Sequence, residues 1–213
     1  MASNVAPNAR VTDELPSVDA LWLDALQRIS SRAAHELKGA LNGVSVNLEV
    51  VRSRSERPDA PASAVAKFAA SATDQLTAVI TMTDALLTLA RPSREPIDVG
   101  QAIRRVGVLL ASSAKADGRT LVFEGPLDDL GTTSAPGNTA RMALAAALLA
   151  ALDASMHVVC SAARSGDAAA LVVRIECRDG ASAPVDAGVI AVAAEQGVEL
   201  HAESSTISIS FPR

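Results

Sequence analysis

Two long amphipathic segments, separated by Arg57-Pro58-Asp59-Ala60-Pro61, set the strongest limit on what this 213-residue chain can fold into. At ~100° per helical residue, Leu26, Ile29, Ala33, Leu37, Leu41, Val44, Leu48 and Val51 gather on one side of the first segment. Ser17 or Asp19 can cap this helix, which the pattern carries to about Arg54. The prolines then break it, because proline cannot continue the hydrogen-bond ladder and disfavours helix in the residue before it. A second helix is predicted from about Ala62 to Ala90. Its stripe is Val65, Phe68, Ala69, Ala72, Leu76, Val79, Ile80, Thr83, Leu86, Leu87 and Ala90, and Arg91-Pro92 closes it. Joined by a short loop, the two make an antiparallel hairpin. Each stripe is wider than one line of contact, so pairing with a second copy into a four-helix bundle is the expected way to cover both. The expected assembly is a homodimer.

Three segments follow from this pattern: a disordered leader over 1–16, a hairpin over 17–92 and a mixed unit over 93–213. Hydrophobic residues make up 49% of the chain but aromatics only 2%, with no Tyr, so alanine and leucine must supply the apolar area. That favours close helix packing. A net charge of −5 leaves no electrostatic footprint for nucleic acid. No secretory signal is visible, and the most apolar run, Met142 to Leu152, is too short to cross a bilayer. A cytoplasmic chain without membrane or nucleic-acid partners is expected. Cys160 and Cys177 lack metal-ligand spacing and read as free buried thiols.

Beyond Pro96 the pattern changes. A short strand is predicted over Glu95 to Val99, then a helix over Val99 to Ala116 with Ile103, Val106, Leu109 and Leu110 inward. Arg119 to Glu124 alternates as a strand does. Asn138 or Thr139 can cap a third major helix ending near Ala154. Val158 to Ala162 and Ala170 to Cys177 read as paired strands around Arg164-Ser165-Gly166-Asp167. Ala187 to Gln196 reads as a short helix, and Val198 to Ala202 with Thr206 to Phe211 as a terminal hairpin. The expected fold class is α+β, the second half being an α/β sandwich with one sheet and helices on one face.

Within the first helix, residues 35 to 43 read His-Glu-Leu-Lys-Gly-Ala-Leu-Asn-Gly. His35 lies roughly 175° from the centre of the apolar stripe on the helical wheel. Its surface neighbours Ser31, Arg32, Lys38, Gly39 and Asn42, with Arg28 one further turn back, are polar or small, so the ring is presented outward. His-Glu-Leu-Lys on the first of two long helices resembles the phospho-acceptor box of bacterial sensor histidine kinases. Pro96-Ile97-Asp98-Val99 before a helix, then Ala116-Asp117-Gly118-Arg119-Thr120-Leu121, resembles the start of their ATP-binding domain. Arg141 to Ala154 resembles the helix that carries their paired asparagines. The resemblance spans about residues 25 to 211.

The departures matter as much. The two asparagines that face nucleotide and magnesium fall at Ala146 and Ala150, and a methyl gives a hard cation no oxygen. Asp179-Gly180 stands at the adenine-binding aspartate, but Ala181 and Ala183 follow where glycines would be. The glycine-rich segment is absent between Ala187 and Val198, so backbone cannot approach phosphates closely there. Asp179-Gly180 then reads as a turn, and His157 and His201 as structural residues in strands.

A kinase-like chain with its histidine, no nucleotide site and no sensor resembles the dimeric histidine phosphotransferases of phosphorelays, whose degenerate ATPase-like domain has become a docking surface. The resemblance implies that His35 carries a phosphoryl group between receiver-domain aspartates. Imidazole offers a neutral ring nitrogen as nucleophile near physiological pH. Glu36 would accept a hydrogen bond or orient the ring, and Arg32 and Lys38 would offset phosphate charge. No cofactor of its own is expected, Mg2+ coming with the response-regulator receiver; an upstream hybrid histidine kinase is a further expected partner. Gly39 replaces the family's water-orienting side chain, which argues against phosphatase activity and leaves transfer untouched. Two other readings stay open: a pseudokinase that sequesters a receiver or a kinase, and an active kinase with an atypical ATP site. Gly39 and Gly43 are read as leaving space for an approaching helix.

Overall fold

The computed structural model describes residues 15–57, 61–128, 130–166 and 170–213. Residues 1–14 of the expected leader, residues 58–60 of the proline break and Asp167 of the expected strand connection lie outside them. Helix α1 spans Val18–Ser55, with the Ser17 hydroxyl accepting from the Ala20 backbone N–H as its cap. Helix α2 spans Ala62–Ala90, and the two pack along one another as the expected hairpin. Asn47 of α1 fastens them, donating to Gln75 Oε1 at 3.1 Å and to Ser71 Oγ at 3.2 Å.

The mixed unit follows as α3 (Val99–Ala116), β1 (Thr120–Glu124), α4 (Gly137–Ala154), β2 (His157–Arg164), β3 (Ala170–Cys177), α5 (Ala187–Glu195), β4 (Glu199–Glu203) and β5 (Thr206–Pro212). The five strands form one sheet in the order β1-β2-β3-β5-β4. β1 pairs parallel with β2 across the α4 crossover, and the other pairings are antiparallel. Alternation along the strands sends Val158, Cys160, Val173, Ile175, Ile207, Ile209 and Phe211 into the core while Arg174, His201 and Glu203 stay exposed. Helix α4 is apolar around its whole circumference and is correspondingly buried along nearly its whole length, among the sheet, α1, α3 and α5. Ile103, Val106, Leu109 and Leu110 of α3 are fully buried, as the periodicity predicts.

Two local expectations are corrected. Residues 95–99 form no strand: only Asp98 makes a single bridge, to Thr132. The Asp98 carboxylate is instead the cap of α3, accepting from Gln101 N at 2.7 Å. Neither Asn138 nor Thr139 caps α4, which begins at Gly137 behind Pro136 with no side-chain cap. Asn138 is spent on longer connections: it donates to Asp19 Oδ1 at 2.9 Å and accepts from Ser93 N at 3.0 Å. Of the predicted α1 stripe, Ile29 and Ala33 are buried, joined by Trp22 and Ala25. Leu41 and Leu48 are left half exposed in the single chain, at 50% and 53%, as a stripe wider than one line of contact implies.

The hairpin and the mixed unit share one core, in which Trp22, Ile29, Met82 and Leu89 join α3, α4 and the sheet. Arg141, buried in α4, donates to the Arg91 carbonyl at 2.6 Å and so anchors the end of α2. Burial, then the neighbouring Arg105, lowers the Arg141 pKa from its ordinary value. Both cysteines are free and buried. Burial pushes the Cys160 thiol up to about 12, which leaves it unreactive at neutral pH.

Close packing at the start of α3 makes a sharp prediction. A Cβ on Gly100 would collide with the backbone carbonyl of Leu127, which cannot swing away as a side chain would. Gly100→Ala is expected to cost about 1–3 kcal/mol, the range of overpacking in a tight core, read as a lowered urea midpoint at unchanged slope. An unchanged midpoint would mean that the 126–128 loop yields freely.

Candidate functional site at His35

His35 sits near the middle of α1, where regular helix fixes its direction, and its side chain is exposed. No hydrogen bond or ion pair engages its ring among the described residues. It borders a shallow cleft of about 330 Å3, walled by Glu36, Gly39 and Ala40 of α1, by Gln75, Ala78 and Met82 of α2, and by Ser112 of α3. Glu36 is half-buried in that wall, and Lys38 is exposed without an ion pair among the described residues. Gly39 opens onto free space, whereas a Cβ at Gly43 would meet the Gln75 side chain. Of the two glycines, only Gly39 leaves room outward; Gly43 makes room for α2.

Arg32 goes elsewhere. Its guanidinium donates to Asp153 Oδ1, and Arg28, one turn earlier, donates to Asp153 Oδ2 at 2.7 Å. Asp153 belongs to the last turn of α4, where the helix dipole disfavours a carboxylate, and the two guanidinium groups offset that. The sequence places Arg32 beside His35 and Arg28 one turn further back, but gives no means of finding Asp153 as their partner, since the contacts span 121 and 125 residues. Gln75 and Ser112 were missed for the same reason. His35, Glu36 and the cleft thus come together, Lys38 lies nearby with no ion pair among the described residues, and Arg32 is held by α4.

The positions that the resemblance assigns to nucleotide and magnesium face a second, larger cleft of about 680 Å3. Ala146 and Ala150 form part of its floor, the N-terminal turns of α1 (Leu21, Asp24, Ala25, Arg28) one wall, and Val185, Asp186 and Val189 another. Its charged groups are Asp24, Asp153, Asp186 and Arg28, a balance that repels polyphosphate. Among the described residues, no group of three or more His, Cys, Asp or Glu side chains could hold a metal ion. No helix among them is long and apolar enough to cross a membrane.

Asp179 is occupied by its own turn. Its carboxylate accepts from Met156 N at 2.9 Å, Ser155 Oγ at 2.8 Å and Ala181 N at 3.3 Å. The Met156 and Ser155 bonds, in that order, hold its pKa below the ordinary carboxylate value. A depressed pKa contributes stability above the unfolded-state value, about 3.9, that is lost as pH falls through the folded one. Asp179→Asn is therefore expected to be less stable than wild type at pH 7, with the gap narrowing below about pH 4. Urea unfolding across that range checks it; a gap independent of pH would contradict it.

No family model matches the chain, and no curated protein does. Similarity to solved structures is found. The histidine kinase AdeS of Acinetobacter baumannii is 12% identical over 84% of this chain and 97% of its own, with a TM-score of 0.43. The chain is similar to histidine kinases. A second of these, ThkA, solved in complex with the response regulator protein TrrA, is 13% identical over 89% of this chain and 62% of its own, TM-score 0.44. A bacterial phosphotransferase solved at 1.7 Å is 16% identical over 88% of this chain and 95% of its own, TM-score 0.35.

Proposed function

We propose that this chain is a homodimeric histidine phosphotransferase of a two-component phosphorelay, carrying a phosphoryl group on His35 between receiver-domain aspartates. The observation that carries the reading is an exposed imidazole whose ring nitrogens have no hydrogen-bond partner among the described residues, beside an open cleft on a long, regular helix. In the transfer, a ring nitrogen's lone pair forms the N–P bond as the P–O bond to the donor aspartate breaks. The carboxylate leaves with that electron pair, and the ring proton passes to solvent. Such a step asks for positioning and charge stabilisation and little else from the protein. In this reading Glu36 orients the ring and Lys38 meets the phosphoryl charge. The receiver supplies the magnesium ion, which neutralises charge on the phosphoryl oxygens.

ATP has no part in this reading: methyl groups stand where oxygen ligands are needed, and carboxylates line the cleft in front of them. Dimerisation is supported by Leu41 and Leu48 of α1 and Leu76, Ile80 and Leu87 of α2, all large and exposed. Helical phase puts them on one side of the hairpin, away from His35.

Incubation of the purified chain with a 32P-labelled phosphoreceiver tests the proposal. The expected result is label on the chain that is acid-labile and base-stable, as a phosphoramidate is, and none from labelled ATP. A chain that binds the receiver yet never takes label is a sequestering protein. Saturable micromolar ATP binding would revive the kinase reading.

A further inference from the structure

Asp153 holds two guanidinium groups at once, and only one of them neighbours His35. Arg32 precedes His35 by three residues on α1, the spacing at which helical side chains meet, while Arg28 lies a turn further back. Both reach Asp153 at the end of α4, and these are the only ion pairs joining α1 to α4 among the described residues. The pairs are partly open to water, Arg32 being 29% and Asp153 45% exposed, so neither is locked in place.

Resting on the reading of His35 as a phosphoryl carrier, we infer that Asp153 is a positioning residue that holds Arg32 and yields it when His35 is phosphorylated. A phosphoryl group brings up to two negative charges and three acceptor oxygens to a point one turn from Arg32. Asp153 offers a single charge and keeps Arg28 when Arg32 leaves. Arg32 therefore exchanges from carboxylate to phosphoryl, and the last turn of α4 loses one of its two ties to α1. Before phosphorylation, Asp153 cancels the Arg32 charge; afterwards that charge stabilises phosphohistidine. The phosphoryl state of the hairpin is thus reported to the mixed unit through one side chain.

The full chain has three histidines, so a His157→Asn/His201→Asn background leaves one signal. Potassium phosphoramidate phosphorylates imidazole with loss of ammonia and needs no receiver. The readout is the 31P titration of the phosphohistidine in this background, in Asp153→Asn and in Arg32→Gln. A guanidinium at the phosphoryl group lowers its second pKa, so Arg32→Gln is expected to raise it and Asp153→Asn to lower it, by about 0.5 unit each. Amide exchange in residues 150–154 should quicken on phosphorylation in the background chain and stay unchanged in Arg32→Gln. A residue that only braces the fold would not move the titration. If Asp153→Asn fails to fold, Arg32→Gln still gives the test, since it leaves Asp153 its Arg28 partner. Identical titration curves, or a His35 that phosphoramidate never labels, overturn the exchange. A His35 that phosphoramidate labels but no receiver does overturns the relay reading and leaves the exchange standing.

Discussion

Replacing His35 with glutamine is expected to reduce phosphoryl transfer from a labelled receiver to background, while thermal stability and receiver binding stay close to wild type. The loss should be complete because the cleft holds no second imidazole, and its other polar side chains, Glu36, Gln75 and Ser112, are far poorer phosphoryl acceptors. Stability should hold because the His35 ring is exposed and bonded to nothing among the described residues, and glutamine is a good helix former. Separating these two outcomes is what makes the substitution informative: a misfolded variant would lose both. Autoradiography of the chain after mixing with phosphoreceiver, alongside a melting curve, reads both. Residual labelling of His35→Gln would show that the carrier lies elsewhere.

A second large effect is expected at the outer side of the hairpin. Leu48 and Leu76 are 53% and 46% exposed in the single chain, so aspartate at both should leave its own fold nearly intact. In a four-helix bundle the same side chains face the second copy. Burying unpaired carboxylates there costs several kcal/mol, a weakening of the dimer by about a thousandfold or more. Sedimentation at low micromolar concentration should show a dimer for wild type and a monomer for Leu48→Asp/Leu76→Asp, with melting of the monomer still cooperative. A wild-type monomer under those conditions would contradict the assembly.

Much of this architecture is legible locally. Ser17 marks the start of α1, the prolines near residue 60 separate it from α2, and α3 buries the four side chains its period selects. Caps and periodicity are properties of neighbours along the chain, so a sequence states them directly. His35 is legible for the same reason: its exposure follows from its phase on a long, regular helix.

Where side chains are contested by distant partners, the sequence alone could not decide. The segment 95–99 has strand-like residues, yet Asp98 gains more by capping α3. Asn138 has a capping side chain, yet it ties Ser93 and Asp19 together. The stripe of α1 is longer than the surface that covers it: its buried residues all lie between Trp22 and Ala33, while Leu41 and Leu48, further along the helix, stay half exposed. By itself the sequence determined the helical hairpin, its outward histidine and the alternating strands, because those follow from period, caps and turns. The tertiary structure alone decided that Arg32 belongs to Asp153 and that Ala146 and Ala150 face α1, because a charge pair or a wall across more than a hundred residues leaves no trace in local spacing.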